Sequence, residues 1–416
     1  MASILDLREK RDEHEMESVL TSGKTLITVR PNFPGPDKRN LHSNFVSFTL
    51  CPEIEAALGI ESIQRTHDEE GLIFFILTEL DKVEAKRICT GIEDNHPLGR
   101  LADIDVRDAE GTISRNGIGL KSRKCYICDD QAAACTRSGR HGFDEVSGFF
   151  REAVEGYLVS GPLETIIERL TTFSLLAELC RETGFGCVTV ESNGSHEDMD
   201  FWTFSKSIRT VAKGFGEITA FAANDFESLR EFGLELEQRM FNATGGINTH
   251  KGAIFIYLIM IKGLLESGRF EDIPEEIRRI SRPVLKDFGK SSESNGLKAY
   301  RQHGILGIRG EAAGGFQKLF GDYLGVLEDG FDLKRLTLSV ISDADDTNVI
   351  HRAGIDSLRE LQSKARKSLR DTLDTGPLDC WCRDKNISTG GSADLVGATV
   401  FAHLVKNNYK ILKGEI

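Results

Sequence analysis

The chain reads as a multidomain protein, an α+β domain followed by an all-α domain, and three observations carry that expectation. At 416 residues it is too long for one ordinary core. Five of its nine prolines, Pro31, Pro34, Pro36, Pro52 and Pro97, fall early, among β-branched and aromatic runs. From Pro162 onward the pattern changes to long helical periodicity with few prolines. The shift puts a boundary near residues 156–162 and gives domains at 1–157 and 162–416.

In chain order, residues 3–20, rich in Glu, Arg and Lys, predict an opening helix. TLITVRPNF (25–33) and GLIFFILTEL (71–80), bounded by Gly and Pro, predict strands. NFPGPDKRN (32–40) is a turn by composition; it is either a rigid loop after a strand or an element that offers Lys38 to a phosphate. LETIIERLTTFSLLAELCRE (163–182) and IDSLRELQSKARKSLRDTL (355–373) predict helices of the second half. There is no internal repeat and no low-complexity segment.

The formal net charge of −13 argues against a general binder of nucleic acid or membrane surfaces, which needs a basic excess. One local basic patch exists: Arg115, Lys121, Arg123, Lys124, Arg137 and Arg140 share a stretch whose acids are Asp129 and Asp130. It is either a solvated face or a dock for a phosphate or an acidic partner. The start, MASILDLREKRDEHEME, has no apolar segment, so neither signal peptide nor anchor is expected. The longest apolar run, residues 253–261, falls short of the roughly 20 residues a bilayer needs. Nine cysteines, odd in number and unevenly spread, predict reduced thiols and a cytoplasmic protein.

Two motifs of the first half carry chemistry. Asp103 and Asp105 in ADIDV, spaced by two, share a strand face and can jointly hold Mg²⁺, or are simply alternating acids on an exposed face. Together they predict a nucleotidyltransferase-like site, in which a hydroxyl attacks the α-phosphorus and pyrophosphate leaves. Gly99 lets backbone approach phosphate, and Arg100 can clamp it. Next, Cys125, Cys128, Cys135 and His141 stand at C-x2-C-x6-C-x5-H spacing, which satisfies tetrahedral Zn²⁺ without matching a standard finger; plain core cysteines are the alternative.

LREKRDEHEMESVL, ITVRPNFPGPDK, HPLGRLADIDV and ISRNGIGLKSRKCYICDDQAAACTRSGRH resemble, in order and spacing, the CitX family of apo-citrate lyase phosphoribosyl-dephospho-CoA transferases. The resemblance covers nearly all of the first half. It implies transfer of a phosphoribosyl-dephospho-CoA group to a serine of the citrate lyase acyl carrier (gamma) subunit, with diphosphate released. Asp103, Asp105, Arg100, Arg123 and Lys124 lie in the matching motifs, and an acidic carrier suits the basic patch.

In the second half, ATGGINTHKGAIF (243–255) is a glycine turn running into an apolar helix. Asn248 or Thr249 would cap it, placing His250 and Lys251 in a first turn suited to phosphate. HGILGIRGEAAGGF (303–316) repeats the design with Arg309 and with Glu311 at the start of a further helix. SDADDTNVIHRAG (342–354) gathers Asp343, Asp345, Asp346 and Asn348, then His351 and Arg352; Asp345 and Asp346 are the expected Mg²⁺ ligands. GGSADL (390–395) adds Ser392 as a cap and phosphate contact, with Asp394 in the first turn, and SNGSHEDMDF (192–201) adds His196 and Asp198. Each motif alone also reads as an ordinary capped or solvated helix start.

NTHKGAIF, GIRGEA, DTN and GGSADL resemble the CitG family, the triphosphoribosyl-dephospho-CoA synthases, over about residues 160–412. That implies a helical enzyme joining ATP to 3′-dephospho-CoA with loss of adenine: the 2′-hydroxyl of dephospho-CoA attacks C1 of the ATP ribose. An oxocarbenium-like transition state needs a carboxylate nearby and an acid for the departing adenine; Glu311 and Asp346 are the candidates for these roles, and Lys251 and Arg309 for binding the triphosphate. The chain departs from the family where a Pro-Lys-Pro-Gly turn is expected ahead of GSHEDM; it has ETGFGCVTVESN, which lacks the lysine, and the half is somewhat short. The expectation is thus a bifunctional transferase. Its rivals are a protein active only as the transferase, with a scaffolding helical half, and a zinc-stabilised docking module for an acidic carrier. A related carrier such as that of malonate decarboxylase is the less favoured partner.

Overall fold

Alternating apolar and polar residues build a sheet in the first part of the chain, and apolar stripes build helices in the rest. A computed structural model of the protein describes residues 4–60, 64–128, 130–221, 225–289, 294–371 and 373–415. Two compact units emerge, Met1–Leu158 and Val159–Ile416.

The first unit comprises α1 (Ile4–Ser22), β1 (Thr25–Pro31), α2 (Leu41–Leu58), β2 (Gln64–Asp68), β3 (Gly71–Thr78), α3 (Lys82–Asn95), β4 (Ala102–Asp108), β5 (Gly111–Thr112), α4 (Ala132–Ser138) and α5 (Phe143–Leu158). Its strands form one antiparallel sheet in the order β2-β3-β1-β4-β5. Because side chains alternate across a strand, Leu26, Thr28 and Arg30 share one face, opposite Arg107, Asp105 and Asp103 of β4. Helix α1 covers that face: Val19 packs on Leu26, Ile73 and Phe75, and buried Glu15 accepts hydrogen bonds from Thr28 and Arg107 (both 2.9 Å). The opposite face, with Ile27, Val29, Ile104 and Val106, is fully buried.

The second unit is helical: α6 (Leu163–Leu179), α7 (Phe201–Glu217), α8 (Phe226–Ala243), α9 (Lys251–Glu266), α10 (Ile273–Ser281), α11 (Asn295–His303), α12 (Gly307–Ala313), α13 (Leu324–Glu328), α14 (Leu333–Asp343), α15 (Thr347–Asp371), α16 (Gly376–Asp384), α17 (Gly390–Asn407) and α18 (Tyr409–Leu412). Helices α6, α9 and α17 form its centre. Tyr257 of α9 stacks on Phe215 with centroids 5.1 Å apart, meets Phe401 of α17 at 5.4 Å, and hydrogen bonds to Ser174 of α6 at 2.9 Å. Among the described residues no helix is long and apolar enough to cross a membrane.

Helix starts differ from the sequence expectation. The N-cap of α9 is His250, not Asn248 or Thr249, and the Thr249 hydroxyl donates instead to Ser207 (2.7 Å). Helix α12 begins at Gly307, ahead of Glu311, because φ there is +54° and a Cβ would lie 2.9 Å from Thr347. The cap of α17 is Thr389 rather than Ser392. Helix α15 breaks at Gly354 (φ 84°), so the expected helix over 355–373 is its second segment, with Thr372 outside the described residues.

Candidate active sites

In the first unit, β4 presents Asp103 and Asp105, half-exposed on the face that carries Arg30. The Arg30 guanidinium lies between them, 3.0 Å from Asp105 and 3.4 Å from Asp103. Burial works against the charge of Arg30, but the two carboxylates outweigh it and raise its pKa. Arg123 donates to Asp103 and to the Ala102 carbonyl (both 2.9 Å) and pairs with buried Glu93. The acid pair is therefore a neutralised, hydrogen-bonded cluster. Its hard oxygen donors on one face suit Mg²⁺.

The other expected phosphate ligands are placed differently. Arg100 donates to the carbonyls of Lys124 (2.9 Å) and Cys125 (2.6 Å). Lys38 is buried 3.5 Å from the Pro31 carbonyl and 3.9 Å from Glu70, and burial pushes its ammonium down to about 8. Lys38 is thus turned into the protein at the end of β1, whereas exposed Arg100 spends one guanidinium nitrogen on the two carbonyls. Lys124 is exposed, in a bridge with Gln131. Much of the basic patch is compensated within the unit: Arg115 binds Glu93 (3.1 Å) and Asp94 (2.7 Å), and Arg140 pairs with Asp130. Asp129 lies outside the described residues. Arg30 and Glu93 escaped the sequence reading, although the alternation of Thr28 and Arg30 in the predicted strand placed Arg30 on a polar-tolerant face.

The remaining first-unit candidates converge: ligand atoms of Cys125, Cys128, Cys135 and His141 all lie within 4.8 Å of one another.

In the second unit the five motifs line one cavity of about 760 Å³. First-turn residues of α9 (Lys251, Gly252), α12 (Ile308, Arg309), α15 (Thr347, Asn348) and α17 (Gly390, Gly391) meet there, with His196 and Asp198. Helix α8 adds Arg230, which lies in none of the five motifs. Arg230 and Arg309 flank Asp287, at 2.7 Å and 3.7 Å. Burial lowers the pKa of Arg309, and Asp287 opposes that shift. Lys251 pairs with Glu237 (2.7 Å). Arg352 donates to the Ser195 carbonyl (3.1 Å) and to His196 Nδ1 (3.2 Å), which leaves His196 Nε2 to donate to Ser388 (3.0 Å).

His250 is fully enclosed, its Nδ1 2.6 Å from the Ser207 hydroxyl. Burial pushes its pKa down to about 3, so the imidazole is neutral and offers no charge to a phosphate. Asp346 is likewise not what the sequence suggested. One oxygen accepts from the amides of Asn348 (2.9 Å) and Val349 (3.3 Å), the other from the amide (2.8 Å) and hydroxyl (2.9 Å) of Ser392. The Asp346 carboxylate and the amide and hydroxyl of Ser392 thus join the starts of α15 and α17.

Besides Glu178, Asp198, Glu237, Asp287 and Asp346, three more acids line the cavity. Glu311 has its pKa raised by burial. Asp345 is exposed. Asp394, unassigned by the sequence reading, is pushed well above the carboxylate range by burial and by Glu178 and Asp346. A Cβ on Gly252 would lie 2.0 Å from an Asp394 oxygen, which explains the glycine of NTHKG: the carboxylate packs against bare backbone. Where the lysine-bearing turn was expected, Phe185 is buried, its amide donating to Asp379 (2.8 Å), and Cys187 and Val188 face the cavity.

Acids beside guanidinium groups on a sheet face, and a deep cavity lined by arginines, acids and helix starts, define a chain with two phosphate-handling transferase sites. The family model of apo-citrate lyase phosphoribosyl-dephospho-CoA transferase (CitX) matches residues 1–157, and that of ATP:dephospho-CoA triphosphoribosyl transferase (CitG) matches residues 164–412. A protein of Haemophilus influenzae named CitXG is 29% identical across 96% of this chain and 95% of its own length, and one of Leuconostoc mesenteroides subsp. cremoris with the same name is 27% identical across 96% of each. A 2-(5''-triphosphoribosyl)-3'-dephosphocoenzyme-A synthase of Haemophilus ducreyi is 29% identical across 66% of this chain and 98% of its own. The chain belongs to the ATP:dephospho-CoA triphosphoribosyl transferase family, with a CitX unit fused ahead of it: it is a bifunctional transferase of citrate lyase prosthetic-group synthesis and attachment.

Proposed function

We propose that the boundary at Leu158 separates the two activities and that each site works with the residues described. In the helical unit, the 2′ oxygen of 3′-dephospho-CoA bonds to C1 of the ATP ribose as the C1–N bond to adenine breaks, giving 2′-(5″-triphosphoribosyl)-3′-dephospho-CoA. Arg230, Arg309, Lys251 and Arg352 bind the triphosphate. Glu311 accepts the hydroxyl proton and faces the developing positive charge, and Asp394, whose protonated form is favoured by burial beside Glu178 and Asp346, donates to the departing adenine. Of the two expected Mg²⁺ ligands, Asp345 is the exposed carboxylate available to the ion.

In the sheet unit, which this reading treats as nucleotidyltransferase-like, the serine hydroxyl of the apo acyl carrier (gamma) subunit attacks the phosphorus next to the ribose. The new Ser O–P bond replaces the bond to diphosphate. Arg30 and Arg123 hold negative charge as it develops on the leaving group. Mg²⁺ bound by Asp103 and Asp105 would supply further neutralisation of the polyphosphate. The donor set of the cysteine–histidine quartet calls for Zn²⁺. Described cysteines that are all free accord with a cytoplasmic setting.

The observation that carries this reading is the meeting of five separated motifs at one cavity. Its test is incubation of the full chain with ATP, Mg²⁺ and dephospho-CoA, following adenine by chromatography, and then addition of apo-carrier, following its mass. Adenine release with a matching gain in the mass of dephospho-CoA is expected. Carrier modification only when finished precursor is supplied would leave the chain a transferase with an inactive helical unit.

A further inference from the structure

Resting on the transferase reading of the first unit, we infer that Cys125, Cys128, Cys135 and His141 bind one Zn²⁺ as a structural staple that holds the site-bearing segment of that unit in place. Four donors of the right type stand close enough for a tetrahedral ion to draw them together. Zn–S bonds of about 2.3 Å and Zn–N bonds of about 2.0 Å put ligand-to-ligand edges at about 3.5–3.8 Å. Cys128 Sγ lies 3.5 Å from Cys135 Sγ and 3.4 Å from His141 Nε2, and all four donors lie within 4.8 Å of one another.

The local backbone is shaped around the quartet. Lys124 and Gln131 form an antiparallel bridge, and the Cys125 amide donates to the Asp130 carbonyl (2.7 Å). The Ile127 amide donates to Cys125 Sγ (3.5 Å), so the backbone of the C-x2-C pair curls round its first sulfur. Cys135 comes from α4, and Gly139 (φ +59°) ends that helix and turns the chain back towards His141. Outside the quartet, both Glu145 oxygens lie 3.3 Å from His141 Nδ1. That carboxylate fixes the proton on Nδ1 and frees Nε2 for metal, the usual outer partner of a zinc-bound histidine. Four protein ligands leave no position open for substrate, so the ion is structural.

Its task follows from what the segment lacks. Between Ile118 and Phe150 the buried apolar side chains among the described residues are Cys125 and Cys135, so the segment has almost no core of its own. Yet this segment delivers Arg123 to Asp103, receives the bonds of Arg100 on the carbonyls of Lys124 and Cys125, and anchors Tyr126 to the Asn32 carbonyl (2.9 Å). The staple thereby sets one edge of the transferase site.

The test uses the full chain. Zinc is counted by atomic emission after dialysis, and the zinc-free protein is loaded with Co²⁺ for absorption spectroscopy. One equivalent of zinc, and the intense bands of tetrahedral cobalt with thiolate ligands, are expected. Glu145→Gln, which leaves all four ligands in place, should weaken zinc binding about 10–100-fold. Removing zinc should open the segment to proteolysis and abolish carrier modification with supplied precursor, while adenine release persists. Absence of retained zinc, or an octahedral cobalt spectrum, overturns the site. Retained zinc whose removal changes neither proteolysis nor transfer overturns the staple. Stoichiometric zinc in a protein that never modifies the carrier would refute the transferase reading and leave the metal site standing.

Discussion

The two units neutralise their carboxylates in opposite ways. On the sheet, Asp103 and Asp105, 31% and 44% exposed at the side chain, are held by the guanidinium groups of Arg30 and Arg123. In the helical unit Asp346, 3% exposed, is held mainly by backbone amides at two helix starts. Side-chain partners can swing away when a metal or phosphate arrives; amides of a helix cannot. The difference separates acids held by movable partners from an acid built into the helix starts, and the function proposed for the helical unit accordingly rests on Glu311 and Asp394 rather than on Asp346.

The sharpest way to break this contrast is Asp105→Asn. It should lower carrier modification about 10²–10³-fold with supplied precursor, judged by carrier mass, and leave adenine release unchanged; equal loss of both activities would show that the sites are not independent. Next in size is Gly252→Ala, whose Cβ would overlap Asp394. Displacing that carboxylate should cut adenine release about 10²-fold and cost about 1–3 kcal/mol of stability in denaturant unfolding. Normal adenine release in this variant would remove Asp394 from the mechanism.

Two smaller effects concern groups whose protonation differs between native and unfolded chains. His250 titrates near 6.5 when unfolded but is pushed to about 3 in the fold. Between those values the unfolded chain binds a proton that the native state refuses, so its contribution to stability falls as pH drops below about 6.5. His250→Gln should flatten the acid limb of a plot of melting temperature against pH, and an unchanged limb would contradict a buried neutral imidazole. Lys38, pushed down to about 8 from 10.5, works in the same direction in a more alkaline window. The unfolded chain again binds more protons between these values, so stability should rise with pH across them. Lys38→Met should remove that rise, with the smallest shift of the four.

What could be read from the sequence was whatever depends on neighbours along the chain. Strand β1 shows in the run TLITV, and the period-two placement of Asp103 and Asp105 matches their common face on β4. Helix α2 was missed: LHSNFVSFTLCPEIEAAL is apolar nearly all round its first half and contains Pro52, so it shows no clean stripe. Strand β2, QRTHD, is polar and half-exposed, and becomes a strand through its pairing with β3. The bond between Asp346 and Ser392 was not legible because it joins distant parts of the chain. Arg30 and Arg230 were overlooked, and Asp394 was placed in a first turn without a role, for the same reason: only the assembled fold brings them to a site.

The bonds from Ser392 to Asp346 also couple two parts of the cavity wall. Helix starts belonging to DADDTN and GGSADL share one buried carboxylate across 46 residues of chain, so a change at either turn is carried to the other.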